Sequence, residues 1–225
     1  MPYRLLVRAA SRATGRLGWL RGALGALLGI ALAALAGRAL AGAWPDYPWL
    51  LAPLGASAVL VFAVPASPLA QPWPVIGGNM LSALTGLAVH AAVPAPLLAG
   101  AVAVAAAIAV MSLARCLHPP GGACALLGAM AGPAVAAHGW GALLLPLAIN
   151  LAALALAGWL YNTLTGHGWP HHLPAPQREP DTRYDRADLD AVLEQWDEVL
   201  DVSREDLDAL FRAVERRVAA RKAPR

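Results

Sequence analysis

A long stretch of this chain has almost no ionised side chains. No Asp or Glu lies between Asp46 and Glu179, and the permanent cations within that interval are Arg115 and Arg178. The whole chain is 58% hydrophobic and 14% charged, whereas soluble domains have about 25% charged residues. A soluble fold of this size needs ionised groups over its surface. The pattern therefore predicts a protein that folds in lipid.

Six apolar segments are separated by Pro, Gly and polar residues. Four of them have close to the roughly 20 residues that a helix needs to cross a bilayer. The two others are too short to span, so we expect half-helices or re-entrant helices that lie among the full spans. The segments are 22–44, 50–64, 75–93, 97–117, 120–130 and 140–164, of which 50–64 and 120–130 are the short ones.

The two short segments resemble each other. Residues 52–60 (APLGASAVL) align without gaps on residues 118–126 (HPPGGACAL), with Pro on Pro, Gly on Gly and the last Leu on Leu. Asn79 and Asn150 follow in the next long segments, about one helical turn out of register. The chain is therefore predicted to be an all-α membrane protein, a polytopic helical bundle built from two long–short–long units. Chance similarity in Ala/Leu-rich sequence is the alternative.

Duplicated halves with a short helix in each are typical of transporters, whose substrate binds where the repeats meet. Pro stands near the start of each short helix and small residues follow, so backbone N–H groups are expected to be uncovered. Two such N-termini facing one another would bind a small anion between them, whereas a cation would need carboxylate oxygens that these segments lack. The predicted substrate site consists of Gly55, Ala56, Ser57, Asn79, Arg115, His118, Gly121 and Gly122. Among these, Ser57, Asn79 and His118 would donate hydrogen bonds, and Arg115 would set the local potential.

Plainer interpretations stay open beside this one. The Gly and Pro residues are also what close helix packing uses, and an Arg at position 115 could extend to an interface. His118 is the stronger candidate, because it directly precedes a Pro-Pro-Gly-Gly break and could donate to an anion or titrate. Cys116 and Cys124 are expected to be buried packing residues. Ser57 has no paired base in the sequence and no metal motif is present, so we predict no enzyme, metal or cofactor.

The termini are expected to lie outside the membrane. Residues 1–21 form a basic segment with Arg at 4, 8, 12, 16 and 21, which favours a cytoplasmic N-terminus and is not a cleavable signal peptide. Residues 22–165 form the transmembrane domain and 166–186 a Pro-rich linker. Residues 187–225 are charged and predict a soluble helical hairpin, whose second helix begins with a capping box at Ser203 and Asp206.

That hairpin could pack on itself, on the membrane domain or on a second subunit, so a homo-oligomer stays open. Its basic C-terminal end suits lipid headgroups better than nucleic acid. Arg-rich N- and C-termini predict that both face the cytoplasm, which requires an even number of spans. The chain is thus expected to be a multi-pass protein of the cell inner (plasma) membrane.

One segment has a long and unusual motif. Residues 115–129, RCLHPPGGACALLGA, resemble the HPP family of integral membrane proteins, which is named for that tripeptide. Residues 51–84 and the LYNTL at 160–164 are similar to its other signature regions, so the resemblance covers roughly 16–165. The positions that match the family's motifs are Gly55, Ala56, Ser57, Gln71, Gly77, Gly78, Asn79, His118, Pro119, Pro120, Gly121, Gly122 and Asn162.

The resemblance implies about four transmembrane helices, which fits two short segments that do not span. It also implies a small monovalent anion as substrate, since plant-plastid and cyanobacterial members are implicated in nitrite transport. It assigns no catalytic residues. We therefore predict a transporter or channel for a small inorganic anion such as nitrite. The alternative is a membrane-bound sensor or assembly subunit that signals through its C-terminal helical tail.

Overall fold

In a computed structural model, the chain is described over residues 2–41, 48–171, 185–194 and 201–222. These residues contain helices and no β-strand, which confirms the predicted all-α class. A 3₁₀ turn at Pro68–Ala70 and a π-helical segment at Pro74–Gly78 precede α3. The α-helices are α1 (Pro2–Ala41), α2 (Pro53–Ala63), α3 (Asn79–Ala92), α4 (Pro96–Leu113), α5 (Gly121–Ala129), α6 (Pro133–His138), α7 (Gly141–Leu164), α8 (Arg186–Glu194) and α9 (Arg204–Lys222).

Four helical stretches are long and apolar enough to cross a membrane, which confirms the predicted multi-pass bundle: Gly18–Ala39, Pro74–Ala92, Pro96–Leu113 and Gly141–Leu164. Helices α2 and α5 have 11 and 9 residues. At about 1.5 Å per residue they extend roughly 16 and 14 Å, well short of the ~30 Å hydrocarbon core. Neither short helix can span by itself. That they re-enter stays a prediction.

Two boundaries differ from those expected. Helix α1 begins at Pro2, so the basic segment and the first span form one helix of 40 residues. Helix α4 ends at Leu113, before the predicted limit at 117, because the chain turns sharply at residues 114–120. The short helix α6 was not predicted. The predicted tail residues 195–200 lie outside the described part of the chain.

Helices α1, α2 and α7 form one group. Gly22 of α1 lies against α2, where an added Cβ would be 3.2 Å from the Cα of Ala63. The Tyr161 hydroxyl of α7 donates to the Arg21 carbonyl of α1 at 2.8 Å. The start of the apolar stretch Gly18–Ala39 of α1 therefore lies beside the ends of α2 and α7. We call this end of the bundle the tail end and the opposite one the far end.

Helices α3, α4 and α5 form the second group. Residues 93–95 connect α3 to α4, which run antiparallel. An added Cβ at Gly121 of α5 would lie 2.7 Å from the Ser82 Oγ of α3, and one at Gly86 of α3 would lie 2.1 Å from the Ala125 carbonyl oxygen of α5. Because these contacts advance together along both helices, α5 runs parallel to α3.

The connection from α2 to α3 stays at the tail end, where the indole of Trp169, after α7, donates to the Ala70 carbonyl at 2.9 Å. Helices α1, α3 and α5 therefore run from the tail end to the far end, and α2, α4 and α7 run back. Each short helix packs on the first helix of its own half and the last helix of the other half. The two halves are related as an inverted repeat, an arrangement that the predicted long–short–long units allow.

Direct backbone contact between α3 and α5 generates a stability prediction. Gly86→Ala would force the new methyl group into the Ala125 carbonyl, so we expect a loss of about 1–3 kcal/mol or more. Gly18→Ala in α1 is the matched control, since no atom lies within 4 Å of the added Cβ and alanine favours helix by up to ~1 kcal/mol. Thermal unfolding in detergent micelles measures both. Equal stability of the two variants would contradict the packing described above.

Candidate functional site

Three polar side chains from the two halves meet in the interior. Ser57 of α2, Asn79 at the start of α3 and His118 in the α4–α5 turn are each 0% exposed. The Ser57 Oγ lies 2.9 Å from the His118 Nε2 and 3.2 Å from the Asn79 Nδ2. These three are the side chains that the sequence analysis predicted as donors of one site. We call them, together with Cys124, the central cluster.

The hydrogen bonds of the central cluster determine its protonation. His118 Nδ1 lies 2.8 Å from the Leu69 carbonyl, so this nitrogen has the proton and donates it. In the neutral ring, Nε2 then accepts from the Ser57 hydroxyl. The Asn79 Nδ2 donates both to Ser57 and to the Val75 carbonyl, the latter at 2.8 Å. The donors of this network are therefore already paired with one another and with the backbone.

Cys124 completes the central cluster. Its Sγ donates to the Asn79 Oδ1 at 3.1 Å. Both Cys116 and Cys124 are free and buried, which confirms the expected packing positions. The cluster thus joins α2 and α3 of the first half to the turn and α5 of the second half through uncharged groups.

Gly78 and the π-helical segment determine where His118 lies. An added Cβ at Gly78 would be 2.5 Å from the Cys116 carbonyl oxygen and 2.7 Å from the His118 Cβ. Only glycine therefore lets the α4–α5 turn approach the start of α3 this closely. The segment Pro74–Gly78 leaves the regular α-helical bonding pattern, and Asn79 uses its amide to satisfy the Val75 carbonyl there.

The prediction that backbone N–H groups at the starts of the short helices are uncovered is wrong. The N–H of Gly55 donates to Ala52 at 3.0 Å, and the N–H groups of Gly121 and Gly122 donate to His118 and Pro119 at 2.8 and 3.1 Å. A tight first turn satisfies these donors within each short helix, since it forms bonds to the residue three positions earlier. The two N-termini therefore do not present the predicted open rows of donors. They also do not face one another, because α2 begins at the far end and α5 begins at the tail end.

The other predicted site residues are dispersed. Gly55 and Ala56 lie on the exposed face of α2, and Gly122 is half-buried with no atom within 4 Å of an added Cβ. Gly121 is buried beside the central cluster. Arg115 is exposed and lies at the tail end. Of the eight predicted residues, the structure brings together Ser57, Asn79, His118 and Gly121.

Ser82, which is 0% exposed on α3, was not among the predicted site residues. Its Oγ has no hydrogen-bond partner among the described residues and faces Gly121 at the start of α5. Ser82 follows Asn79 by three residues, which places both on one face of the helix. That spacing could have identified Ser82 from the sequence.

Arg21 was also missed as a structural residue. Its side chain is 7% exposed, although it was grouped with the arginines of the basic N-terminal segment. Its Nη1 donates to the Asn162 Oδ1 at 2.9 Å, and its Nη2 donates to the Phe62 carbonyl at 2.7 Å. Asn162 in turn donates to the Val61 carbonyl at 2.9 Å. The pair therefore satisfies the carbonyls at the end of α2.

The C-terminal tail contacts the tail end of the bundle. Ser67 donates to the carboxylate of Asp201, and His171 lies 3.0 Å from the Asp206 carboxylate. Ser203 caps α9, since its Oγ accepts the N–H of Asp206 at 3.0 Å, as in the predicted capping box. Partial desolvation raises the pKa of Asp206, but hydrogen bonds from Ser203 and His171 outweigh it and leave that pKa below its usual value.

Comparison with known proteins identifies a family that matches most of this chain. The family described as "HPP, transmembrane region" matches residues 12–170. A transmembrane protein of Dictyostelium discoideum is 44% identical over 82 residues, which cover 35% of this chain and 29% of that protein. A second transmembrane protein of Dictyostelium discoideum is 42% identical over 83 residues, covering 35% and 27%. The chain thus spans less than a third of these relatives. No solved structure matches it.

The contacts of Arg21 predict a large effect of Asn162→Leu. The substitution removes an acceptor from a buried guanidinium and a donor from the Val61 carbonyl, so we expect a loss of about 2–4 kcal/mol. Thr163→Leu, at an exposed neighbour, is the matched control and should be near neutral. Unfolding in detergent compares them. If Asn162→Leu unfolds like Thr163→Leu, the capping role of Asn162 is wrong.

Proposed function

The chain belongs to the HPP transmembrane-region family, and we propose that it is a transporter or channel for a small inorganic monovalent anion, with nitrite as the substrate. One observation supports this most strongly. Where the two inverted halves meet, Ser57, Asn79 and His118 form a buried, uncharged polar cluster. Inverted repeats with short helices are typical of transporters, whose substrates bind at the repeat interface.

The charge of the bundle favours an anion over a cation. Residues 48–171 contain no Asp or Glu, so a cation would find no carboxylate oxygen in them. The same interval contains Arg115, and Arg21 is buried in the bundle. The permanent charges on these residues are therefore positive, which favours anions over cations.

Binding would exchange one set of hydrogen bonds for another. In the structure the Ser57 hydroxyl donates to His118, whereas Ser82 nearby has no partner among the described residues. An anion beside Gly121 would accept from the Ser82 hydroxyl and from Ser57 once that bond opens. Protonation of His118 at Nε2 would turn it from an acceptor into a charged donor. These groups suit a small oxyanion such as nitrite, which the family resemblance also implies.

An enzyme is a weaker explanation of the same cluster. Ser57 does have a base at 2.9 Å, which the sequence did not reveal. A hydrolytic pair needs a third group to orient the histidine and donors for an oxyanion. Here the Leu69 carbonyl orients His118, but the nearby N–H groups of Gly121 and Gly122 are already bonded. Both the Ser57 and the His118 side chains are also fully buried. We therefore propose a protein without catalytic residues, metal or cofactor.

The topology suggests the location of both termini. The start of the apolar stretch of α1 and the end of α7 lie at the same end of the bundle. The N-terminal segment has many arginines, and such segments remain on the cytoplasmic side. We propose an inner (plasma) membrane protein with both termini in the cytoplasm.

A membrane-bound sensor or assembly subunit is the second candidate, and the docked tail favours it. Asp201 and Asp206 contact Ser67 and His171, so the tail could report on the loop before α3. Ser67→Ala with His171→Ala would release the tail. A sensor should lose its output in that double variant, whereas a transporter should retain anion flux.

Flux in proteoliposomes tests the transporter. We expect protein-dependent uptake of nitrite over nitrate, chloride and formate, and loss of that uptake in His118→Ala, which removes the bond to Ser57. His167→Ala is the matched control, because the His167 ring is bonded locally to the Thr165 carbonyl at 3.0 Å. No flux of any anion through folded wild-type protein would refute the proposal. Unchanged flux in His118→Ala would show that the central cluster is not the transport site.

Ser82→Ala separates binding from folding. Its hydroxyl has no partner among the described residues, so the variant leaves no group unsatisfied and should be as stable as the wild type. Loss of one donor to the anion should raise the half-saturating nitrite concentration about tenfold, as expected for a hydrogen bond of ~1.4 kcal/mol. A half-saturating concentration equal to that of the wild type would exclude Ser82 from the site.

A further inference from the structure

Arg115 holds a backbone conformation that normally belongs to glycine. It ends α4 with φ +52°, in the left-handed region. Its N–H donates to Ser112 at 3.1 Å, and the N–H of Cys116 donates to Met111 at 2.8 Å. These two bonds form a Schellman motif, whose left-handed residue is usually Gly.

Helix α7 ends in the same way with the usual residue. Gly166 has φ +79°, its N–H donates to Thr163, and the N–H of His167 donates to Asn162. A side chain at that position costs roughly 1–2 kcal/mol. Arginine is therefore the locally unfavourable choice at 115. Strained residues of this kind gather where a side chain is needed for function.

Arg115 lines a cavity of about 370 Å³ at the tail end. Ala66 and Gln71 form part of its wall on the bundle side, and His171, Ser203 and Glu205 form part of the wall on the tail side. Since one water occupies about 30 Å³ of liquid, the cavity has room for a small ion with its hydration waters. Bundle and tail build this cavity together.

Arg115 is the charge that a ligand would meet there. Among the described residues, no carboxylate forms an ion pair with it. Glu205, the carboxylate of the wall, is paired with Arg186 at 3.0 Å. Gln71 is also occupied, since it donates to the Pro65 and Ser67 carbonyls. An unpaired cation in a concave site raises the local concentration of anions.

We propose that this cavity is an outer anion-binding vestibule, in which Arg115 holds a small inorganic anion at the tail end of the bundle. Its place on a transport route rests on the proposed function. Pro68 and Gln71 line the cavity, and Leu69 between them accepts the proton of His118 at 2.8 Å. One layer of backbone therefore separates the vestibule from the central cluster.

Thiol labelling tests the vestibule without measuring transport. Cys116 and Cys124 are both buried, so Ala66→Cys introduces one accessible thiol in the cavity wall. Ala137→Cys, on the exposed surface of α6 at the far end, is the matched control. Rates of reaction with an anionic and a cationic methanethiosulfonate reagent would be compared in full-length protein.

The ratio of the anionic to the cationic labelling rate should be at least about threefold higher at Ala66→Cys than at Ala137→Cys. One nearby positive charge produces an effect of this size. Adding Arg115→Gly should abolish that gain. This variant suits the test because glycine relieves the left-handed strain, so the fold is retained. Nitrite or inorganic phosphate should slow labelling at Ala66→Cys alone. No charge preference, or a preference that survives Arg115→Gly, would overturn the proposal.

Flux separates this proposal from the proposed function. Arg115→Gly should raise the half-saturating nitrite concentration, because the anion loses a cation that attracts it to the bundle. If wild-type protein transports nitrite but labelling shows no charge preference, the vestibule proposal is wrong and the transporter proposal stands. If labelling shows a charge preference that depends on Arg115 but the protein transports no anion, the anion site stands and the transporter proposal is wrong.

Discussion

Two short helices end inside an apolar bundle, and the backbone groups at their ends need partners that lipid cannot supply. Helix α7 supplies them to α2. The Asn150 Oδ1 accepts the N–H of Leu51 at 3.2 Å, just before α2, and the Asn162 Nδ2 donates to Val61 near its end at 2.9 Å. The two asparagines lie about 18 Å apart along α7, close to the ~16 Å length of α2. The length of the short helix is thus matched to polar positions on its neighbour.

Helix α3 does the same for the C-terminal end of α5 in the inverted half. His90 Nδ1 donates to the Ala129 carbonyl at the end of α5 at 2.9 Å, and Asn79 accepts from Cys124 within it. Asn79 thereby corresponds to Asn150, although the two asparagines have different surroundings. Asn150 bonds to backbone groups of Ala33 and Trp49 in addition to Leu51, whereas Asn79 also bonds to Ser57. A position that serves only the scaffold in one half therefore joins the central cluster in the other.

Local features of the sequence were sufficient to predict the membrane class, the four long spans and the two short helices, because hydropathy and proline breaks act within a segment. Contacts between distant segments were not predictable in the same way. Arg21 and Asn162 are 141 positions apart, and nothing in the basic N-terminal segment distinguishes Arg21 from its neighbours before helix register is known. The free N–H groups were predicted wrongly because the alternative, a tight first turn, depends on local backbone geometry. Ser57, Asn79 and His118 were found because each is polar where its surroundings are apolar.

The absence of charge in the central cluster has an energetic consequence. A buried ion pair loses several kcal/mol when one partner is removed, so a charged cluster would resist opening. The bond between Ser57 and His118 is neutral, and such a bond contributes only about 1 kcal/mol net. An anion that replaces it gains a comparable amount from the same hydroxyl, so binding and release are both accessible. Transport requires this balance, since a substrate must be bound well enough to enter and weakly enough to leave. In the proposed transporter, a neutral cluster beneath Arg115, which forms no ion pair among the described residues, would meet that requirement, with attraction outside and exchangeable hydrogen bonds inside.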